Sequence, residues 1–347
     1  MAKEKKKQHY VPQCYLENWT SNDSNQVYAF DKMAKRSFCT NTSNIAAERY
    51  FYDIDFSKVL TEEDKQKYMS DDIDLEKLSD EQYIENYLAN SIEGEFKTII
   101  NSIVNRVCDM NAWEVANCFG IDQQNKAKLS WHLSVLTMRG IDVRTGLLDT
   151  ADCLEQILSE MGASEQTIKK YSLRDSDLPF IQGRMIIDND ELHEMASTFF
   201  NLTWVMLINK TKTSVYTSDK PIGRIPHAKD PVLSMAGLTS PGIEVYFPLS
   251  PELILLMYDG EYHNYSAGQD RTISTLNDDE LINYYNYYTT IQSNRWVISS
   301  NNDFQFILEM ISENPDIFNT HSSVVSWGGK TYKPRNKSTE TQEQNDA

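Results

Sequence analysis

The sequence predicts an α+β protein in which a central helical bundle packs with a mixed or antiparallel sheet built from an N-terminal hairpin and C-terminal strands. Two observations predict it. Between residues 92 and 161, apolar residues recur at steps of three and four, which is the period of an α-helix. Before and after this region, short segments alternate or run together in the manner of β-strands. Strand-like segments therefore flank a helical middle.

The N-terminal segment, residues 8–56, is predicted to contain a β-hairpin. Residues 26–31 alternate like a half-buried strand, a polar turn follows, and residues 37–40 supply the returning strand. Ahead of this segment, residues 1–7 form a basic leader that we interpret as solvated.

A helical region is predicted at residues 79–202. One apolar stripe runs from Ile92 to Val107, and a second runs from Leu129 to Met161. The second stripe predicts one long helix or two collinear helices packed on the first. Gly140 lies within it and weakens the prediction of an unbroken helix.

The region 203–311 is predicted to be rich in sheet, and the segments 203–208 and 214–217 are predicted to pair as a hairpin. The other predicted strands are 243–249, 253–258 and 295–299. We interpret residues 8–335 as a single α+β domain, followed by a disordered polar tail at 336–347.

Composition narrows the classes of partner. The formal net charge is -18, so the surface as a whole repels phosphate backbones, and nucleic acid could bind only through a local site. No apolar run approaches the roughly 20 residues that span a bilayer, and the N-terminus lacks a secretory signal, so we expect a cytoplasmic protein that does not bind membranes. A protein partner remains open.

Common catalytic and metal-binding motifs are absent from the sequence. The five cysteines include no Cys-x-x-Cys pair, which argues against a disulfide framework and a zinc finger. Gly328-Gly329-Lys330-Thr331 superficially resembles the end of a phosphate loop, but Val324 occupies the position of the first glycine.

His9 and Gln13 are the candidate site residues of the N-terminal stretch 5–19, which is rich in aromatic side chains. A neutral imidazole at position 9 could act as a general base, a phosphate partner or a metal ligand. The alternative is a structural histidine. Gln13 could orient a ligand, or it could satisfy a buried backbone pair. We expect this stretch to insert against residues 217–221.

Asp219 follows a predicted strand and could be a catalytic carboxylate, although a side chain that caps its own turn is the competing interpretation. Lys220 could bind an anion or point into solvent. Arg139 and Arg144 flank Gly140 within the second apolar stripe. Their planar guanidinium groups could bind an anion, or they could pair with acidic neighbours.

The stretch His9-Tyr10-Val11-Pro12-Gln13-Cys14-Tyr15-Leu16-Glu17-Asn18-Trp19 resembles the signature of a bacterial family catalogued as domain of unknown function 4238 (DUF4238). The resemblance covers residues 8 to 310. Cys14 stands where the family usually has an aromatic residue, and Gly140-Ile141 replaces a common Thr/Ser-Pro. Further segments similar to the family's landmarks are Glu48 with Tyr50-Phe51-Tyr52, Arg139–Arg144, Thr217–Pro221 and Phe247–Pro251. The family has no agreed activity, so the resemblance implies positions and no mechanism.

Two functions are consistent with these residues. The first is a hydrolase of phosphodiester bonds, a nuclease for which a role in phage defence is one hypothesis. It requires His9 to lie beside Asp219. Its catalytic residues would be His9, Asp219 and Arg139. Its ligand-binding residues would be Gln13, Glu48, Lys220 and Arg144. The candidates to hold a divalent metal such as Mg²⁺ would be Asp219, Glu48 and His9. The second is a non-catalytic binding or regulatory protein in which the His9 and Asp219 motifs are structural.

Overall fold

A computed structural model describes residues 6–20, 24–70, 75–228, 236–265, 267–318 and 325–335. The described helices are α1 (Gln13–Leu16), α2 (Glu62–Ser70), α3 (Tyr83–Tyr87), α4 (Glu93–Cys108), α5 (Ala112–Asn117), α6 (Gln123–Met138), α7 (Ile141–Glu160), α8 (Glu165–Tyr171), α9 (Leu178–Ile187), α10 (Asn189–Asn201), α11 (Asp279–Gln292) and α12 (Gln305–Glu313). The predicted tail and most of the predicted leader lie outside the described residues.

The described strands form two larger sheets and two short pairs. They are β1 (Lys7–His9), β2 (Gln26–Asp31), β3 (Arg36–Asn41), β4 (Ala47–Arg49), β5 (Thr203–Asn209), β6 (Thr217–Ser218), β7 (Gly223–Pro226), β8 (Ile243–Ser250), β9 (Leu253–Tyr258), β10 (Thr272–Leu276), β11 (Trp296–Ser299), β12 (Val325–Trp327) and β13 (Lys330–Tyr332). Lys7, placed in the leader by the sequence, begins β1.

The four-stranded sheet has the order β3-β2-β11-β6, and all its pairs are antiparallel. The predicted N-terminal hairpin is confirmed as β2 and β3, and its partner β11 is the predicted C-terminal strand. The predicted hairpin between residues 203–208 and 214–217 is wrong. Strand β6 pairs with β11 in this sheet, whereas β5 pairs with β9 and β10 in the other. Local β-propensity predicted strands but could not identify which strand pairs with β5 and which with β6.

The five-stranded sheet has the order β10-β5-β9-β8-β7 and is mixed, because only β10 and β5 run parallel. It is covered on both faces. Met206 and Phe247 join a core that also contains Ile100 of α4 and Leu133 of α6. On the opposite face, β5 and β9 pack against α11, with Leu207, Leu256, Ile282 and Tyr285 in contact.

The second apolar stripe forms two helices, α6 and α7, which separate at Arg139 and Gly140. Gly140 is the N-cap of α7 and has an extended backbone, with φ -64° and ψ 149°. A Cβ atom there would come close to the carboxylate end of the Asp142 side chain, so a larger residue would require that side chain to shift. Gly146, in contrast, lies within α7.

The α+β class is confirmed, with the hairpin and C-terminal strands distributed over two sheets. One core joins Tyr10 and Trp19 of the N-terminal stretch to helices and to the five-stranded sheet. The single domain spanning 8–335 stays a prediction. Among the described helices, none combines the length and apolar character needed to cross a bilayer.

Candidate functional site

The N-terminal arm, residues 7–19, inserts between the sheets as the sequence predicts. The Tyr15 hydroxyl lies 2.6 Å from Thr217 Oγ1 and donates to the Pro248 carbonyl at 2.8 Å. The Trp19 indole N–H donates to the Val215 carbonyl, and the Asn18 amide donates to the carbonyl of Leu249. These contacts confirm the predicted insertion against the 217–221 segment and explain why a short terminal stretch is ordered.

His9 is enclosed at the end of β1, opposite Ala47 of β4, and only 7% of its surface is exposed. Its Nδ1 atom lies 3.3 Å from the side-chain nitrogen of Gln13, and its Nε2 atom has no hydrogen-bond partner among the described residues. Burial and, to a smaller extent, the charge of Arg139 lower the pKa of His9 to about 4. The imidazole is therefore neutral near pH 7 and a weak base there.

Arg139, which the hydrolase hypothesis makes catalytic, is buried at the C-terminal end of α6. Its Nη2 group donates to the His9 carbonyl and to Glu93 Oε1, the latter at 3.0 Å. Its own carbonyl accepts from the Tyr52 hydroxyl at 2.9 Å. Burial would lower the pKa of Arg139, but the Glu93 carboxylate reverses that effect and raises it. The guanidinium thus holds the arm to α4 and α6.

Asp219 is also buried, and both of its carboxylate oxygens are occupied. Oδ1 accepts the backbone N–H of Asn294 at 2.9 Å, and Oδ2 accepts those of Arg295 and Trp296 at 2.7 and 3.0 Å. Burial raises its pKa to about 6, while the three amides and the nearby Lys32 act in the opposite direction. The carboxylate therefore stays ionised at neutral pH and fixes the turn between α11 and β11.

His9 and Asp219 form no hydrogen bond or ion pair with each other, so no bond joins the two side chains that the hydrolase hypothesis places side by side. The hydrogen bonds of His9 connect β1 with Gln13 and Arg139, whereas those of Asp219 connect β6 with β11. Tyr10 follows His9 in the chain, and its phenol pKa is raised by burial and then by the charges of Asp219 and Glu48.

Glu48 lies on β4 with its side chain exposed. The atoms packed around the carboxylate still raise its pKa, and Arg144 lowers it. Within the described ranges, no three His, Cys, Asp or Glu side chains converge as metal ligands. The predicted metal set of His9, Glu48 and Asp219 is accordingly not assembled.

Arg144 packs within the protein beside the arm. Its guanidinium carbon lies 3.5 Å from the centroid of the Phe51 ring, and its Nε donates to Gln182 Oε1 at 2.6 Å. Burial lowers the pKa of Arg144 to about 10. Gln182 in turn donates to the carbonyls of Met138 and Gly140. Sequence reasoning missed Gln182, although an amide within the apolar helix α9 was a usable signal.

A narrow cavity of about 20 Å³ lies where three sequence motifs meet. We call it the motif pocket. Gly140 and Asp142 come from the start of α7, and Tyr10 comes from the arm. The residues that define it here are Tyr10, Gly140, Asp142, Asp219, Lys220 and Arg224. Four of them, Tyr10, Gly140, Asp142 and Arg224, were not among the predicted site residues.

Charges of both signs face the motif pocket. Lys220 Nζ lies 3.2 Å from Asp142 Oδ2, so the predicted anion-binding lysine is half-buried in an ion pair. Arg224 is on β7 and half-buried, and burial lowers its pKa while Asp142 raises it. An arginine on a short strand directly after Pro221 was the sequence signal that could have identified it.

Comparisons with known proteins identify a family without assigning a role. No curated protein and no solved structure matches the chain. A family model described as "Protein of unknown function (DUF4238)" matches residues 7–303, which include the arm, Arg139, Asp219 and the motif pocket. The chain therefore belongs to the DUF4238 family.

Proposed function

We propose that this is a non-catalytic binding or regulatory protein in which the His9 and Asp219 motifs are structural and the motif pocket receives the ligand. The observation that carries the proposal is the environment of Asp219. Three backbone amides bond to the two oxygens of this buried carboxylate, so most of its roughly four acceptor positions already serve the structure.

His9 and Arg139 support the same interpretation. A general base that works near neutral pH needs a pKa close to that pH and access to its substrate, whereas burial depresses the pKa of His9 to about 4. Arg139 is buried between Glu93 and the His9 carbonyl, which makes it a link between the arm and the helices.

The motif pocket supports a ligand site because its walls come from separate parts of the chain. The arm, the start of α7 and the loop between β6 and β7 contribute to it. Asp219 and Arg139 hold these three parts in place through neighbouring backbone groups. In this proposal the motifs position the pocket and do no chemistry themselves.

Replacing Asp219 with Asn tests the structural role. The variant keeps the shape, but an amide NH2 group replaces one of the two oxygens that accept backbone N–H groups, so the free energy of unfolding should fall by about 2–4 kcal/mol. Urea unfolding followed by circular dichroism measures this. Asp190→Asn, which alters a side chain that is 85% exposed, should change stability little. Equal stability of Asp219→Asn and the wild type would contradict the proposal.

The hydrolase hypothesis is tested with the same proteins. We expect no cleavage of single-stranded DNA, RNA or nucleotides by the wild type with Mg²⁺ or Mn²⁺. Cleavage that disappears in His9→Gln and Asp219→Asn, while both variants retain wild-type stability, would replace the binding proposal with the hydrolase.

A further inference from the structure

We infer that the motif pocket recognises the carboxylate group of a small monoanionic ligand, with Arg224 and Tyr10 as its donors. The inference rests on the proposed function and specifies its ligand. Three features carry it: a tyrosine hydroxyl and an arginine guanidinium that form no hydrogen bond or ion pair with the described residues, and the start of a long helix that no side chain caps.

The first feature is the Tyr10 hydroxyl. Tyr10 is 4% exposed and lines the motif pocket, yet its hydroxyl makes no hydrogen bond within the described part of the chain. A hydroxyl that lines a cavity without a protein partner is available to bond water or a ligand. Burial and the charge of Asp219 raise its pKa, which keeps the phenol a neutral donor.

The second feature is Arg224. Its backbone N–H and carbonyl are both bonded to the Gln292 side chain, at 3.0 and 2.7 Å, which fixes β7 beside α11. Its guanidinium has no hydrogen bond or ion pair to any described residue, although Asp142 pairs with Lys220 on the same wall. A half-buried guanidinium presents a planar set of donors that matches a carboxylate.

The third feature is the N-terminus of α7. This helix has 20 residues, and its N-cap is Gly140, which supplies no side-chain acceptor. The first amides of a helix have no partners inside the helix, and their partial positive charge favours an anion. Gly140 and Asp142, at the start of α7, line the motif pocket together with Tyr10 and Arg224, and Asp142 is the acidic residue of the first turn.

Charge and size favour a carboxylate over a phosphate. Lys220 and Arg224 equal Asp142 and Asp219 in number, so the pocket has no excess positive charge for a dianion, and among these four side chains only the Arg224 guanidinium is without a hydrogen bond or ion pair to the described residues. A cavity of about 20 Å³ has room for about one water-sized group. One oxygen of a flat carboxylate can enter it while the rest of the ligand stays at the mouth, whereas a tetrahedral phosphate is bulkier.

Acetate is the probe for this inference. We expect isothermal titration calorimetry to detect acetate binding to the wild-type protein, with no comparable effect of phosphate or tetramethylammonium at equal ionic strength. Arg224→Gln should weaken acetate binding by about tenfold or more, since a charge-assisted hydrogen bond is lost. Tyr10→Phe should weaken it less. Arg36→Gln, an exposed arginine on β3, is the matched control and should bind normally.

The outcomes separate the inference from the proposed function. The inference is overturned if acetate binds Arg224→Gln as tightly as it binds the wild type. It is also overturned if acetate binds neither protein. Phosphate or tetramethylammonium binding that depends on Lys220 or Asp142, with acetate inactive, overturns the carboxylate class and keeps the binding function. Far-UV circular dichroism of each variant ensures that lost binding is not lost folding.

Discussion

Burial decides how the imidazole at position 9 behaves. His9 has a pKa of about 4 in the folded protein against an ordinary value near 6.5, so it is neutral when folded and protonated when unfolded between these values. The unfolded state binds more protons in that window, and the stability contribution is lost as the pH falls from about 6.5 to 4. Asp219 acts oppositely, because its raised pKa makes the folded state bind more protons between about 4 and 6.

A pH series of urea unfolding tests this residue. Wild-type protein should lose up to about 3 kcal/mol through His9 between pH 7 and pH 4. His9→Gln should be less sensitive to acid by that amount. Since both proteins retain Asp219, its opposite contribution cancels in the comparison. His193→Gln, which removes an exposed histidine, should keep the wild-type profile. Parallel profiles for His9→Gln and wild type would refute the assignment of a buried neutral imidazole.

At the scale of elements, a buried lysine joins the N-terminal hairpin to α11. Lys32 follows β2, and its Nζ donates to the carbonyls of Thr290 and Ser293 at 2.9 and 2.6 Å, at the C-terminal end of the helix. A cation there complements the helix dipole. Its charge also favours the ionised form of Asp219, so the hairpin, the helix and β6 depend on one another.

Replacing Lys32 with Met should lower the free energy of unfolding by about 2–4 kcal/mol, because buried carbonyls lose their donor and Asp219 loses a nearby cation. The pKa of Asp219 should rise further. Chemical unfolding measures the first effect, and NMR titration of the Asp219 carboxyl carbon measures the second. Lys35→Met, an exposed change in the same hairpin, should affect neither. An unaltered Asp219 titration in Lys32→Met would show that the two elements are not coupled.

At the scale of the whole molecule, the arm bridges regions that are distant in sequence. Tyr10 and Trp19 belong to the core shared by α4, α6 and the five-stranded sheet. Tyr15 contacts β6 of the four-stranded sheet and β8 of the five-stranded sheet through Thr217 and Pro248. Disrupting one sheet therefore removes the support of the other.

We expect residues 8–335 to unfold in one cooperative transition. Near-UV and far-UV circular dichroism should give the same midpoint, and the calorimetric enthalpy should equal the van't Hoff enthalpy. Tyr15→Phe should shift the whole transition and leave it single, because the hydroxyl lost joins both sheets. Two resolved transitions would instead indicate separate domains.

Features that depend on neighbours in the chain could be predicted. The period of Ile92 to Val107 predicted a helix, which α4 confirms, and the alternation of residues 26–31 predicted the strand of a hairpin. The pairing of Thr217 could not be predicted in this way. A two-residue strand has too little pattern to identify β11, almost 80 residues later, as its partner.

The candidate site, too, could be predicted only in part. Sequence motifs identified His9, Arg139 and Asp219 as positions of interest, but they could not distinguish catalysis from structural support. That depends on which groups surround each side chain, and the amides that occupy Asp219 come from residues 294–296. Arg224 and Gln182 lie outside the sequence motifs that identified the other site residues.

By itself, the sequence determined the α+β class, the central helical region and the family, because periodicity and motifs depend on residues that are close together in the chain. Only the tertiary structure decided which side chains are enclosed, which partners they meet and that Tyr10, Asp142 and Arg224 share one cavity. The physical reason is that burial and hydrogen bonding are set by groups brought together from far along the chain, and the same residue type serves either role.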